Sequence, residues 1–328
     1  MITVINQFLS TKSFDTRAVL RVLLVLVGLS ALAAVLSGGV FLQPRNLVNL
    51  VLQNAGLIIV TLGQFLVIVL AGIDLSVGAV MAVSSVLVVL FQDYGLVGSF
   101  AVALAGSLVF GLVNGSLVTF VRLPAFVVTL ASMQIGYSVS KILSDAAGSR
   151  GGTVYTGLGG AEIPQGFTDF FKDSYWGVPA PLFVCVLFLI LVALYLRTSP
   201  GHFAFATGGN ERAAFLSGVP VWVVKMAVYI ISSLLAGVAG ILFVSRVGLG
   251  DPQAGTWIAL DSIAAASIGG ASLSGGLGTV AGTFIGVVIL GVLNNIMNLL
   301  GVPVTMQPAV KGMVILLAVY LNSSRRQN

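Results

Sequence analysis

Neutral amides are the side chains in the apolar segments of this chain that could contact a polar solute. The candidates for a substrate path are Asn54, Gln64, Asn114, Gln134, Asn294 and Asn298. Amides hydrogen-bond hydroxyl groups without adding charge, so together they suit a neutral, hydroxyl-rich solute better than an ion. Alternatively, each amide only joins two helices, since an interhelical hydrogen bond contributes about 0.6 kcal/mol on average in membranes.

Two loops share the pattern Gly-x-x-Leu-Ser-x-Gly and hold the next candidate residues. These residues are Gly72, Asp74, Ser76 and Gly78 in the first loop, and Gly270, Ser274 and Gly276 in the second. The loops could be parts of an internal repeat, which transporters often contain, or a coincidence in a glycine-rich chain. Each serine could cap the following helix, and the aspartate beside a helix start could act in the same way. A carboxylate so close to the bilayer could instead relay protons.

The sequence lacks the residues that catalysis or metal binding would need. One histidine and one cysteine are too few for a metal site of the usual ligand number, so we expect no metal. No lysine follows a glycine, which excludes the Gly-Lys-Ser/Thr motif that binds nucleotide phosphates. We therefore expect that this chain is not an enzyme and binds no cofactor itself.

A polar island interrupts the apolar second half of the chain at residues 207–221. The residues predicted to contact a partner there are Gly208, Asn210, Glu211, Arg212, Ala213, Ala214, Ser217 and Gly218. Their spacing predicts a short helix that ends at a glycine. Because the chain has neither an ATP-binding motif nor an evident ion-coupling group, energy would reach it through such a docking element.

The composition indicates that these residues are positioned by membrane helices. Hydrophobic residues are 58% of the chain, charged residues are 8%, and the mean hydropathy is +1.10, whereas soluble domains carry about 25% charged residues. The 40 glycines suit helices that pack through small residues. The net charge of +5 does not indicate nucleic-acid binding, because the basic residues are scattered near segment ends. The single Cys185 gives no disulfide framework.

Hydropathy predicts an all-α polytopic membrane protein with about ten helices, or eight to ten if short segments do not cross. The predicted segments are 18–36, 47–71, 77–92, 96–120, 124–142, 180–197, 221–245, 257–270, 279–300 and 308–321. Three of them are short and would be tilted, broken or re-entrant, namely 77–92, 257–270 and 308–321.

An arrangement with both termini in the cytoplasm gives a modest excess of basic residues on the inner side, as the positive-inside rule requires. The chain then consists of a cytoplasmic segment 1–17, one transmembrane domain 18–321 and a cytoplasmic tail 322–328. Within the domain, 198–220 is a cytoplasmic coupling loop and 143–179 a periplasmic loop. The periplasmic loop would receive a partner or be a poorly ordered connector. Its Tyr175 and Trp176 could equally belong to an interfacial aromatic belt.

Five stretches, in this order, resemble the permease subunits of ribose-type, or monosaccharide-type, ATP-binding-cassette importers. The stretches are 72–78, 123–130, 208–219, 260–275 and 293–301, and the resemblance covers nearly the whole chain. Glu211, Ala213, Ala214 and Gly218 resemble the Glu-Ala-Ala…Gly core of importer coupling loops. Arg212, which stands between Glu211 and Ala213, departs from that pattern and leaves the role of Glu211 open.

The resemblance implies a multi-pass protein of the bacterial inner membrane that moves a sugar or sugar-like polyol by alternating access. It also implies a second permease copy, a cytoplasmic ATPase that holds ATP and Mg²⁺, a periplasmic sugar-binding protein and surrounding lipid, with no nucleic acid. Segment 207–221 would then insert into a cleft on the ATPase. Two other functions stay open: an ion-coupled secondary sugar transporter, and a membrane scaffold without transport. The lack of ionisable residues in mid-span argues against ion coupling.

Overall fold

Helices make up most of the computed structural model, which describes residues 16–149, 151–155, 165–171, 173–176 and 178–314. They are α1 (Thr16–Leu36), α2 (Pro44–Val69), α3 (Val77–Leu90), α4 (Gly95–Thr119), α5 (Ala125–Ala146), α6 (Gln165–Phe170), α7 (Ala180–Arg197), α8 (Ser199–Gly209), α9 (Glu211–Leu216), α10 (Val221–Val247), α11 (Ile258–Ile268) and α12 (Val280–Leu299). Residues 307–314 are also helical. The predicted all-α class is confirmed.

Seven helices within the described residues are long and apolar enough to cross a membrane: α1, α2, α4, α5, α7, α10 and α12. The apolar helices α3 and α11 have only 14 and 11 residues, which span about 21 and 17 Å. A bilayer core is about 30 Å thick, so neither can cross it alone. Two of the three predicted short segments are thus confirmed as short. Most of 308–321, the tail 322–328 and nearly all of 1–17 lie outside the described residues.

The centre of the bundle is formed by α2, α3 and α10. Helix α10 packs against α2, α3 and α4, and α3 also packs against α4 and α5. On the other side of α2 lie α11 and α12, while α1 packs on α12 and α7 on α2. Helix α3 buries 13 of its 14 residues, whereas α1, α5 and α7 expose many large apolar side chains. This distribution places helices with exposed apolar side chains around a tightly packed middle, as expected in lipid.

Small residues allow the central helices to touch backbone to backbone. A Cβ atom on Gly111 of α4 would lie 2.8 Å from the Cα of Ile230 on α10. One on Gly240 of α10 would lie 2.6 Å from the carbonyl oxygen of Met81 on α3. Both distances are shorter than van der Waals contact, so only glycine fits there. The predicted packing through small residues is confirmed at these two crossings.

Helices α3 and α11 are short because both begin inside the bundle. A Cβ on Gly78, at the start of α3, would collide with the carbonyl oxygen of Gly255, just before α11. From this meeting point the two helices run to opposite ends. Ser85 of α3 lies beside Asp251, which follows α10, with its Oγ donating to the Asp251 carbonyl at 3.1 Å. Gly269, after α11, lies against the first turn of α12.

The described part of segment 143–179 is tied to the bundle. Strand β1 (Val154–Tyr155) pairs antiparallel with β4 (Leu249–Gly250), and β2 (Ser174–Tyr175) pairs with β3 (Val178–Pro179). Helix α6 is held by Phe167, whose carbonyl accepts from Ser245 Oγ at 2.6 Å and whose ring lies 5.1 Å from that of Phe100. These contacts argue against a poorly ordered connector in the described residues. A partner-binding role for this segment stays a prediction.

Candidate functional site

The predicted polar island, 207–221, contains the end of α8 and all of α9, two short helices between the long helices α7 and α10. Asn210 separates them and caps α9, because its Oδ1 accepts from the backbone N of Ala213 at 2.9 Å. At the other end, Val219 N donates to Ala214 O at 3.1 Å across Gly218, whose φ is 85°. This is a Schellman ending, which needs a left-handed residue and therefore favours glycine. The predicted short helix with a terminal glycine is confirmed.

The two faces of α9 separate the residues that were predicted to contact a partner. Ala214 is only 6% exposed and faces the bundle, while Ala213 and Arg212 are exposed. The expectation that both alanines face a partner is therefore wrong for Ala214. Sequence reasoning missed Phe215 and Leu216, whose exposed fractions are 68% and 76%. The helical period could have indicated them, since residues about 100° and 200° from a buried position point away from it.

Glu211 is paired within the chain. Both oxygens of its carboxylate accept from Nζ of Lys225 on α10 at 2.7 Å. The Glu211 side chain is 57% exposed and that of Lys225 is 17% exposed, so the pair contributes at most about 1 kcal/mol to stability. Its geometric effect is to fix the start of α9 against α10. Arg212, in contrast, extends an exposed cation from the same turn.

The end of α8 is seated on the C-terminal end of α2 and on the second Gly-x-x-Leu-Ser-x-Gly loop. A Cβ on Gly208 would collide with the carbonyl oxygen of Val69, which ends α2, and would lie 3.0 Å from Gly276 N. That same Val69 oxygen accepts from Gly276 N at 2.9 Å. A Cβ on Gly275 would lie 2.5 Å from Gly208 O and 2.8 Å from the Cβ of Ala71. We call these five residues, Val69, Ala71, Gly208, Gly275 and Gly276, the glycine joint.

Neither of the two loop serines caps a helix through its side chain, so that prediction is wrong, although Ser76 stands at the N-cap position of α3. Ser76 Oγ donates to Asp74 Oδ1 at 2.6 Å. Ser274 is exposed in a turn, and α12 is capped by Thr279, whose Oγ1 accepts from Gly282 N at 3.0 Å. The first loop enters α3 directly after its serine, whereas the second continues to residue 279 before α12 begins. This difference favours coincidence over an internal repeat as the origin of the shared pattern.

Asp74 is fully buried where α2, α4, α5 and α10 meet. Its Oδ1 accepts from Ser76 N at 2.9 Å and from Ser76 Oγ, and its Oδ2 accepts from Ser232 Oγ at 3.1 Å. Ser76 Oγ in turn accepts from Asn114 Nδ2 at 2.9 Å, and Asn114 Oδ1 accepts from Ser132 Oγ at 2.5 Å. Each hydrogen bond in this series, from Ser132 through Asn114 and Ser76, is donated in the direction of Asp74. The Asp74 carboxylate is therefore the final acceptor and organises the start of α3. The predicted organising role at a helix start is consistent with this geometry.

Four of the six predicted path amides do not line a common path through the bundle. Gln64 is fully buried and, with its amide oriented to satisfy both partners, donates to the Asp74 carbonyl at 2.8 Å and accepts from Asp74 N at 3.2 Å. Asn114 belongs to the same hydrogen-bonded chain. Gln134 on α5 and Asn298 on α12 are exposed. These placements fit loop anchoring for the first pair and surface positions for the second.

Asn54 and Asn294 line a cavity of about 560 Å³ at the other end of the bundle. The polar and aromatic residues around it include Gln53, Asn54, Phe171, Arg246, Asp251, Gln253, Thr256, Trp257, Asp261 and Asn294. Helix α10 has 27 residues, or about 40 Å; α9 precedes its first residue, and Arg246 lies next to its last. The cavity lining reaches Ala239 of α10, so the part of α10 from Val221 to Ala239, or about 27 Å, separates the cavity from the α8–α9 segment.

Comparison with known proteins places the chain in a family. A family model described as "Branched-chain amino acid transport system / permease component" matches residues 46–319. The ribose import permease protein RbsC of Bacillus subtilis is 40% identical over 288 residues, which cover 87% of each chain. RbsC of Escherichia coli K12 is 36% identical over 334 residues, covering 98% of this chain and 99% of the relative. The D-allose transport system permease protein AlsC of the same organism is 34% identical over 302 residues, covering 91% and 89%.

These matches extend over both the α8–α9 segment and the helices that line the cavity, and they are to permease components. Together with the seven apolar candidate spans, they make the protein a multi-pass protein of the inner membrane. The chain belongs to the ribose-type family of permease subunits of ATP-binding-cassette importers.

Proposed function

We propose that this chain is the subunit through which an ATP-driven importer moves a sugar or sugar-like polyol across the bacterial inner membrane. The observation that carries the proposal is the similarity to ribose import permeases over 87% and 98% of this chain. Alternating access would expose the cavity end and the α8–α9 end of the bundle in turn. The chain contributes the path, and ATP with Mg²⁺ would be bound by a separate ATPase subunit.

The exposed face of α9 is the proposed contact with that ATPase. Phe215 and Leu216 offer an apolar tip, and Arg212 beside them offers a cation for an acidic rim. Apolar anchors that fill a pocket typically dominate the energy of an interface, while charges at its edge fix orientation. The Schellman turn and the Glu211–Lys225 pair hold this tip in one orientation.

Other partners follow from the two remaining kinds of surface. Segment 143–179, with its small strand pairs, lies at the cavity end and would receive a sugar-loaded periplasmic binding protein. The exposed apolar faces of α1, α5 and α7 would contact lipid or a second permease copy. Both assignments support an importer that is assembled from several chains.

The two rival functions are disfavoured by specific features. An ion-coupled carrier needs a buried ionisable group that changes its charge; Asp74 already accepts three hydrogen bonds from Ser76 and Ser232. A scaffold without transport has no need of a cavity lined by polar side chains such as Asn54 and Asn294.

Substitution of Asp74 tests the proposal against ion coupling. Asp74→Asn keeps the shape and one carbonyl oxygen, and the Ser232 hydroxyl can rotate to accept from the new amide. We therefore expect ATP-driven sugar uptake to stay within about threefold of wild type, even with a protonophore present. Asp74→Ala leaves three donors without an acceptor, at about 1–3 kcal/mol for each unsatisfied group, and should lower the midpoint of thermal unfolding by several degrees. Uptake that vanishes in Asp74→Asn without a change in unfolding would instead support proton coupling.

A further inference from the structure

We propose that the cavity between Trp257 and Asn294 is a weak sugar-binding site of the permease itself, occupied by a neutral monosaccharide on its way from the binding protein. This inference rests on the proposed import of a sugar and adds the place, the chemistry and the strength of its recognition.

The size of the cavity fits a small solute with accompanying water. Its volume of about 560 Å³ lies within the range of about 300–1,000 Å³ of small-molecule sites. It exceeds the needs of one sugar ring, so a bound sugar would keep part of its hydration. A transport site must release its solute after each cycle, and loose enclosure serves that requirement.

An amide oxygen without a partner points to a hydroxyl ligand. Asn294 Oδ1 is buried and has no hydrogen-bond partner within the described residues. Asn54 faces the same cavity from α2 and uses its Nδ2 to donate to the Leu50 carbonyl at 2.7 Å. A buried acceptor left unsatisfied costs free energy. A rotation of the Asn294 side chain would bring its Oδ1 to the cavity surface, where a sugar hydroxyl can donate to it without introducing charge. The amides of Asn54 on α2 and Asn294 on α12 can thus hydrogen-bond to sugar hydroxyl groups from two sides of the cavity.

The charges around the cavity balance, which favours a neutral ligand. Asp261 is paired with Lys311 at 3.0 Å. The Oδ1 atom of Asp251 accepts a hydrogen bond from Gln253 N at 2.8 Å. The negative charge of Asp251 is balanced by the positive charge of Arg246, which also lines the cavity. Formal charges of +2 and −2 on these four groups therefore cancel, and the cavity has no net charge with which to concentrate an anion or a cation.

Trp257 supplies a flat apolar surface beside these polar groups. Its side chain is exposed and lines the cavity at the start of α11. A sugar ring presents carbon-bound hydrogens on its faces and hydroxyl groups around its edge. An indole face next to amide groups complements both parts of such a molecule, because aromatic side chains combine a large apolar area with a polar tip.

A labelling experiment on the complete importer measures occupancy without relying on transport. Cys185 is fully buried, so a cysteine introduced by Thr256→Cys in the cavity wall would be the reactive thiol. We expect D-ribose, D-allose, D-xylose or L-arabinose at millimolar concentration to slow its alkylation at least about threefold. Val304→Cys, at an exposed position that does not line the cavity, should react at the same rate with or without sugar. Absence of protection, or equal protection by leucine, would overturn the proposal.

A matched pair of substitutions then measures the effect on transport. Asn294→Leu removes the unpaired acceptor, whereas Asn298→Leu makes the same change one turn away, at an exposed position outside the cavity where the amide oxygen accepts from Gln307 Nε2. We expect Asn294→Leu to reduce sugar imported per ATP hydrolysed about tenfold and Asn298→Leu to leave it unchanged. Equal effects of the two would contradict the proposal. A wild-type complex that imports no sugar while Thr256→Cys is still protected would refute the transport function but leave the binding site standing.

Discussion

Gly208→Ala is expected to abolish sugar import, while Gly209→Ala, on the next residue, leaves it near the wild-type level. The two positions differ in what a methyl group would meet. At Gly208 the new Cβ would collide with the backbone of Val69 and lie 3.0 Å from Gly276 N, whereas at Gly209 it meets nothing within 4 Å. Backbone atoms cannot turn aside as a flexible side chain can, so α8 must move away from the end of α2 and from the second loop.

Import is expected to fail because the glycine joint lies between the proposed ATPase contact on α9 and the segments that lead to α3 and α11. Helix α9 carries the proposed ATPase contact, while Gly208 touches the end of α2, which the first loop joins to α3, and the loop between α11 and α12. Motion of α8 and α9 would therefore be passed by backbone contact to the end of α2 and to the segment between α11 and α12, and from there along the chain to α3 and α11. Overpacking of this kind typically costs about 1–3 kcal/mol, which the fold can tolerate, but the methyl group would also separate the Gly276 N from the Val69 oxygen.

The measurement is sugar imported per ATP hydrolysed in proteoliposomes that contain the assembled importer. For Gly208→Ala we expect less than about one twentieth of the wild-type ratio, with the ATPase still bound and still hydrolysing ATP. Gly209→Ala should stay within about twofold of wild type. A Gly208→Ala complex with the wild-type ratio would show that the joint does not transmit the work of the ATPase.

Loss of the apolar tip of α9 is expected to release the ATPase. The double substitution Phe215→Ala and Leu216→Ala removes two side chains that are 68% and 76% exposed in the isolated chain. Burial of each against a partner would contribute about 1.5–3 kcal/mol, so affinity for the ATPase should fall at least about 100-fold. The fold should be barely affected, because exposed substitutions usually change stability by no more than about 0.5 kcal/mol.

Binding of the purified ATPase to permease in nanodiscs measures this effect. Val304→Ala is the matched control, since it also truncates an exposed apolar residue but lies beyond α12. Unchanged affinity of the double variant would assign the contact to another surface. Ala214→Trp is a poor test by comparison, because Ala214 is buried against the bundle and a large side chain there would disturb packing before it reached a partner.

The sequence predicted the elements better than it predicted which side chains share a site. Helix bounds follow from apolar segment length, and the end of α9 follows from Gly218. The burial of Ala214 and the exposure of Phe215 depend on how α9 packs against α8 and α10, which the Glu211–Lys225 pair only helps to fix. The glycine joint joins three parts of the chain that are distant in sequence, so no local pattern could reveal it.

The amides show the same limit. Asn294 and Asn298 share a helical spacing, yet one faces the cavity and the other lies exposed. Gln64 and Asn114 are amides in apolar segments, as expected of path residues. Gln64 instead binds the backbone of Asp74, and Asn114 donates to Ser76 beside it. A buried amide in an apolar helix can satisfy a neighbour or a ligand, and only the arrangement of helices distinguishes the two. In the same way, the shared loop pattern suggested Ser274 as the cap of α12, whereas the residue that caps this helix is Thr279.

The proposed function of this permease is the import of sugar with energy from a separate ATPase. The most direct test is uptake of labelled sugar into sealed proteoliposomes that contain the permease, with the ATPase present or omitted, and with the sugar-loaded binding protein on the opposite face. We predict accumulation against the sugar gradient only when both the ATPase and ATP are present, whatever ion gradient is imposed. Concentrative uptake without the ATPase, driven by an ion gradient, would contradict the account.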